Sequence, residues 1–389
     1  MTKWSVVKDD TRQKRRRELI PRIALLSCIA LVVVSLGMVL SPGRPQDPVE
    51  PPFSEQARAA ALTDTMRLRA AGEELSRSAA GTEQPAVGRT VSLLTNQARA
   101  LQVPAYGTGT PPAATASTAS SAATPTSTAA ALPATVPALA AALADSAGQR
   151  FADAAVADGG MARLLAAVGT AQLLQASALA AAAGVPAPAV PDPAAPPISG
   201  ACPGATASPS SSSPAAEPAV PAEAASFEPA ASAAADSPAA TVQGALAAAV
   251  RAEREAVYGY QVALTRLGGD AAASASQQLA RHEDLVAGAE ELSRTQCAPV
   301  PPREAGYDIA PEFLAAPAAG LGTLEASGLA VYGDLVALGE GQTREWAIAG
   351  LVGAARRSVL WGADAGALPG LTADPDSFPT LPPSPTPSP

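Results

Sequence analysis

The sequence predicts an all-α protein, with one membrane-spanning helix near the N-terminus and two helical bundles joined by disordered linkers. Three observations carry this reading. The 389 residues are 48% hydrophobic, yet aromatics make up only 3% and Ala dominates the apolar set. Such a composition favours helix and leaves too few β-branched and aromatic residues for an extensive sheet. The 39 Pro gather with Ala, Ser and Thr in stretches that cannot build a core. Finally, one pattern occurs twice near the C-terminus: Glu253 with Tyr260, and Glu325 with Tyr332. Each pair is seven residues apart, two helical turns, so both members share one side of a helix.

Residues 1–22 form a basic segment. Lys3, Lys8, Arg12, Lys14, Arg15, Arg16, Arg17 and Arg22 stand against Asp9, Asp10 and Glu18, so the overall charge of −9 divides into +5 there and −14 over the remainder. Residues 23–40 (IALLSCIALVVVSLGMVL) are uncharged and long enough to span a bilayer. The basic block before them places the N-terminus in the cytoplasm and the rest outside the cell membrane. A cleaved signal peptide is the rival reading. Against it stand an unusually long apolar stretch, no A-x-A site after it, and Pro42 directly after Ser41. Leu25-Leu26-Ser27-Cys28 comes near a lipoprotein box, but cleavage there would leave a long apolar tail on the mature chain. An uncleaved anchor is the expectation. The acidic remainder excludes nucleic acid as a partner, which needs a basic face.

The short spacer SPGRPQDPVEPP leads into a first, Ala-rich bundle over 54–184, with helices expected at 54–79, 85–101, 136–157 and 160–183. Leu62, Met66, Leu68 and Leu75 form a stripe in the first, and Val91, Leu94, Ala98 and Leu101 in the second. Leu139, Leu143, Phe151 and Ala155 follow in the third, then Met161, Leu164, Leu165, Val168 and Leu179 in the fourth. A disordered insert at 107–128 separates the middle two. Pro85 and Pro133 sit near helix starts, and Gly184 with Pro186 closes the last helix. Residues 185–240 read as a disordered linker, either a plain spacer or a glycosylated one.

The second bundle covers 241–365, with helices at 241–267, 272–295, 320–338 and 343–362. Gly268-Gly269-Asp270 and Gly339-Glu340-Gly341 are tight turns, so each half is an antiparallel hairpin. The Pro-rich stretch 296–319 between them is long enough to run the length of a bundle about 30 Å tall. Residues 366–389 read as a disordered Pro-rich tail.

The apolar stripe around the first Glu–Tyr pair contains Leu246, Ala249, Val250, Ala256, Val257, Ala263, Leu264 and Leu267, with Glu253 in its middle. Leu321, Leu324, Gly328, Leu329, Leu335 and Val336 surround Glu325 likewise. A carboxylate on an apolar stripe is costly unless paired, protonated or metal-bound. Two such carboxylates point to a duplicated hairpin with an inward acid in each half. They point to a fold and do not name an activity.

Ala252-Glu253-Arg254-Glu255-Ala256-Val257-Tyr258-Gly259-Tyr260, with Leu324-Glu325 and Tyr332-Gly333-Asp334-Leu335, resembles the ferritin-like domain of unknown function found in actinobacterial envelope proteins. Gly159-Gly160-Met161-Ala162-Arg163-Leu164-Leu165 resembles the N-terminal region of such proteins, less specifically. Two short loops around one long crossover fit that topology. The resemblance implies a ferritin-like four-helix bundle. A di-iron site in such a bundle needs a Glu from each of two helices and Glu-x-x-His from each of the other two. Glu253 and Glu325 supply the first set. The second is missing: Leu279 stands three residues before His282, and the last helix presents Ile348, Val352, Ala355 and Val359 inward with no His.

Two readings of the inward polar groups remain. In the first, Glu253 and Glu325 are held structurally by Tyr258, Tyr260, Tyr332, Arg356 or Arg357, with His282 as a satisfied core residue. Alternatively Glu253, His282 and Glu325 ligate one metal ion, which three donors can hold where a bridged pair cannot be held. The structural reading is preferred, so no cofactor is expected. Trp346 and Trp361 read as core.

Cys28 lies in the apolar run, and Cys202 and Cys297 are expected to form a disulfide in an oxidising compartment. No CxxC or Cys/His cluster suggests zinc. No nucleophile elbow, phosphate loop, dinucleotide fingerprint or zincin motif is present. The expected role is a non-enzymatic binding or scaffolding module with a protein or other envelope partner, tethered to the membrane by 23–40.

Overall fold

The computed structural model describes residues 51–102, 132–188, 196–200, 202, 240–371 and 377–381. The anchor at 23–40 and its basic flank, the insert at 107–128 and most of the 185–240 linker lie outside the described residues. Every element among the described residues is helical: α1 (Phe53–Ser76), α2 (Glu83–Leu101), α3 (Val136–Val156), α4 (Gly159–Ala182), α5 (Val242–Leu264), α6 (Gly269–Thr295), α7 (Pro311–Ala315), α8 (Pro317–Leu338) and α9 (Gly341–Leu360). The eight long helices match the sequence expectation to within a few residues at each end. The short α7, inside the crossover, was not expected.

Local chemistry fixes the helix starts. Thr135 Oγ1 accepts from Ala138 N–H at 3.2 Å above α3, and Pro137 occupies the first turn, where its missing N–H costs nothing. Asp158 Oδ1 caps α4 by accepting from Met161 N–H at 3.1 Å, and Thr241 Oγ1 caps α5 through Gly244 N–H at 3.1 Å. Helix α6 ends on an unusual residue. Cys297 has φ of 54° while Ala298 N–H returns to the Ser293 carbonyl at 2.8 Å. That is a left-handed helix cap, usually given to Gly.

The helices pair as four hairpins, α1–α2, α3–α4, α5–α6 and α8–α9, and α5 packs beside α8 across the long crossover. The two bundles are not separate bodies on a tether. Helix α4 packs on α8 and α9, and α3 reaches α9, so one apolar core runs through both, from Phe151, Leu165 and Val168 to Leu329, Ile348 and Leu351. The physical signal is visible in α4, which is apolar nearly all round. A helix with no polar face needs cover on every side, and α4 receives it from both bundles.

Polar groups close the junction. Arg344, 6% exposed, donates Nε–H to the Gly339 carbonyl at 2.8 Å and Nη1–H to the Ala157 carbonyl at 2.6 Å. Arg163 pairs with Asp334 at 2.6 Å and donates to the Gly370 carbonyl at 2.8 Å. Helix α4 approaches the end of α8 so closely that a Cβ on Gly159 would overlap the Ala337 carbonyl.

Parts of the expected linker and tail have definite partners. Ile198 packs against the shared core, and Gln342 donates to the Pro197 carbonyl. Arg99 donates to the carbonyls of Phe378 and Pro379, both at 3.1 Å. An apolar residue such as Ile198 gives even a Pro-rich segment something to bury.

Candidate functional site

Glu253 sits on α5, His282 on α6, Glu325 on α8 and Arg357 on α9, so each long helix of the second bundle contributes one ionisable group to the centre. All four are nearly inaccessible, at 4%, 1%, 3% and 6% exposure. The stripe periodicity puts both acids inward. On α6 the buried line is Ala275, His282, Leu285, Ala289 and Leu292. Val286, on the same helix, lines an outer groove. On α9, Val359 was expected inward but is 51% exposed, and Arg357 takes the inward place.

The groups form a closed network. His282 Nδ1 lies 2.7 Å from Glu253 Oε2, and Nε2 lies 2.8 Å from Glu325 Oε1. Tyr332 donates its hydroxyl to Glu253 Oε1 at 2.6 Å. Tyr260 donates to Glu325 Oε1 at 2.7 Å and itself accepts from Trp361 Nε1–H at 2.7 Å. Arg357 Nε–H donates to Glu325 Oε2 at 2.8 Å. Trp346 lies against Tyr332, ring centroids 5.6 Å apart.

An ionised carboxylate only accepts hydrogen bonds, so an imidazole nitrogen facing one must donate a proton to it. With a carboxyl group at each nitrogen, the arrangement suits an imidazolium. Burial works against its charge, but hydrogen bonds to Glu253 and Glu325 outweigh burial and hold its pKa above the ordinary histidine value. Burial likewise opposes the Glu325 charge, and His282 and Arg357 overcome it, lowering that pKa. Burial and the neighbouring carboxylates push Tyr260 and Tyr332 up, which keeps both phenols neutral donors. Two anions and two cations balance, which is what lets four charges sit inside a bundle.

One valence is left over. Arg357 Nη2 is buried without a hydrogen-bond partner among the described residues. A cavity of about 20 Å³ lies beside Arg357, Glu253, His282 and Glu325. That is enough for one water and little else.

The donor chemistry does not fit a metal in this arrangement. A ligating imidazole needs a free lone pair, and both His282 nitrogens are turned to carboxylates. Glu325 already meets two cationic side chains, and Glu253 is shared between His282 and Tyr332.

Of the partners anticipated for the acids, Tyr260, Tyr332 and Arg357 converge on the network. Tyr258 packs against Tyr307 instead, with centroids 5.6 Å apart. Cys202 and Cys297 are joined by a disulfide, with Cα atoms 5.2 Å apart. Sequence reasoning missed the Trp361–Tyr260 bond, and nothing in the periodicity of α9 could have shown that its C-terminal cap turns back to a residue 101 positions upstream.

Residues 245–373, which hold the whole network, all but the first three residues of α5, and all of α6 to α9, match a family model described as a domain of unknown function, DUF4439. That description states no activity. No curated protein and no solved structure matches the chain.

Proposed function

We propose that this chain is a membrane-tethered, extracytoplasmic, non-enzymatic module for binding or scaffolding in the cell envelope, built on a ferritin-like bundle whose metal site has become a structural ionic lock. The observation that supports the lock is the double engagement of His282: each ring nitrogen meets a carboxylate, and each carboxylate meets a further donor. Such a centre presents no activated nucleophile or base to a substrate. Support for the location comes from the basic residues before the apolar run at 23–40 and from a disulfide of the kind kept in oxidising compartments.

A second reading has one observation in its favour. Three potential metal donors converge beside a small cavity, with Glu253 and Glu325 each within hydrogen-bonding distance of His282. Metal uptake there would require His282 to lose a proton. Elemental analysis of the full-length protein, after growth with iron, manganese or zinc, separates the readings. We expect no stoichiometric metal in wild type. One equivalent that disappears in Glu253→Gln would overturn the structural reading. A C-terminal reporter active only in the cytoplasm would overturn the location.

A further inference from the structure

On the outer face of the α5–α6 hairpin, turned away from the ionic network, lies a groove of about 410 Å³. This falls within the range of small-molecule pockets, about 300–1,000 Å³. Arg254, Tyr258 and Gln261 line it from α5, Glu283 from α6, and Glu304 and Tyr307 from the crossover. Val257 and Val286 add apolar surface.

The groove is pre-formed. Arg254, whose side chain is 11% exposed, donates Nη1–H to the Pro301 and Pro302 carbonyls at 2.8 and 2.9 Å, and Nη2–H to Glu290 at 2.9 Å. These bonds hold the crossover against the hairpin as the second wall, so a ligand need not organise it. One donor remains. Arg254 Nε–H is buried without a hydrogen-bond partner among the described residues. The tilted pair Tyr258 and Tyr307 supplies half-buried ring surface.

The chemistry narrows the occupant. Glu290 pairs with Arg254 at 2.9 Å and with Arg303 at 3.9 Å, and the carboxylates of Glu283 and Glu304 line the same groove. With both signs lining one groove, a strongly charged ligand meets repulsion as well as attraction. Carboxylates accept, guanidinium groups donate, and the Gln261 amide does both. A hydroxyl group also does both, so a polyhydroxylated neutral molecule can satisfy every side of this lining. Its C–H faces would lie on the tyrosine rings. We propose that this groove binds a short neutral saccharide of pyranose rings. The proposal stands apart from the ionic network and does not depend on whether a metal binds there.

The test uses the full-length protein in a detergent without a sugar headgroup, titrated with cellobiose and with N,N′-diacetylchitobiose by calorimetry. Saturable binding of at least one disaccharide is expected. Tyr258→Ala and Tyr307→Ala should each weaken it at least tenfold, Gln261→Ala should weaken it several-fold, and Tyr258→Phe should retain it. Circular dichroism identifies any variant that fails to fold, and exposed Gln261 provides a variant with little risk to the fold. Binding of neither sugar by folded wild type, or binding unchanged in folded Tyr258→Ala and Gln261→Ala, overturns the proposal. So does a glucosamine or galacturonate disaccharide that binds tenfold more tightly than either neutral sugar.

Discussion

Tyr332 donates its hydroxyl to Glu253, seventy-nine residues upstream, and not to Glu325 on its own helix. Tyr260 does the reverse and serves Glu325. The two Glu–Tyr repeats are thus crossed, with each half of the bundle satisfying the acid of the other. His282 sits between the acids and binds both. Each acid also has a partner from its own hairpin, His282 for Glu253 and Arg357 for Glu325, so each carboxylate is held from both halves of the bundle.

The acids should therefore respond unequally to neutralisation. Glu253 meets one cationic group, and His282 can lose a proton to restore balance in Glu253→Gln. The expected loss is about 1.5–3 kcal/mol, the scale of one hydrogen bond to a charged group. Glu325 also holds Arg357, which has no second carboxylate bond in the network. Glu325→Gln leaves that guanidinium buried without its counter-charge, at about 3–5 kcal/mol. Urea denaturation of both variants measures the difference, and equal losses would refute the assigned pairing.

The network also sets a pH window. The folded pKa of His282 lies above its ordinary 6.5, so its stabilisation is complete below about 6.5 and is lost as pH rises through the folded value. The folded pKa of Glu325 lies below its ordinary 4.5, so its contribution is complete above about 4.5 and is lost as pH falls through the folded value. Together these two groups favour a maximum between about pH 4.5 and 6.5. The alkaline limb can fall by no more than about 1.4 kcal/mol per pH unit for a single proton. Denaturation curves from pH 4 to 9, for wild type and His282→Gln, should differ in this limb; identical limbs would mean that His282 is not the titrating group.

Much of this centre was legible in the sequence because periodicity reports which side of a helix a residue occupies. Glu253, Glu325 and His282 fall inward for that reason. What periodicity cannot report is how far a long side chain reaches across a bundle. Arg357 had to be named beside Arg356, since adjacent positions on a helix differ by only 100°. The junction of the bundles was harder still. Its polar ties, such as Arg344 to the Ala157 carbonyl, run from side chain to distant backbone and leave no mark in residue spacing.

Gly350 offers a sharper test of packing. A Cβ there would overlap the Tyr332 ring, whereas a Cβ on Gly328 meets nothing within 4 Å. Ala is favoured over Gly within a helix by about 0.8–1 kcal/mol. Gly328→Ala should therefore stabilise by up to that amount. Gly350→Ala should be destabilising by about 1–3 kcal/mol, because overpacking displaces Tyr332 from Glu253. Thermal melts of the two variants should shift in opposite directions.

The disulfide closes a sequence separation of 95 residues. The chain-entropy treatment gives up to about 4–5 kcal/mol for so long a loop, with less usual in practice. Cys202→Ser/Cys297→Ser should lose part of that. Because Cys297 occupies a left-handed position at φ of 54°, Cys202→Ser/Cys297→Gly should recover about 1 kcal/mol relative to the double serine variant. If the glycine variant is the less stable of the two, the helix cap does not carry the strain assigned to it.

Arg344 provides the test of the junction between the bundles. Its guanidinium ends two helices at once, satisfying the Gly339 carbonyl after α8 and the Ala157 carbonyl after α3. A cation at helix C-termini also meets their partial negative charge. Arg344→Met keeps the apolar stem and removes the donors, leaving buried carbonyls unpaired. The expected cost is about 2–4 kcal/mol. Arg77→Met, at an exposed pair with Glu74, should cost less than about 0.5 kcal/mol. Hydrogen exchange supplies the decisive readout. In Arg344→Met, amides at the ends of α3 and α8 should exchange faster together while those around His282 stay protected. Faster exchange confined to α8 would show that the guanidinium caps its own hairpin without joining the two bundles.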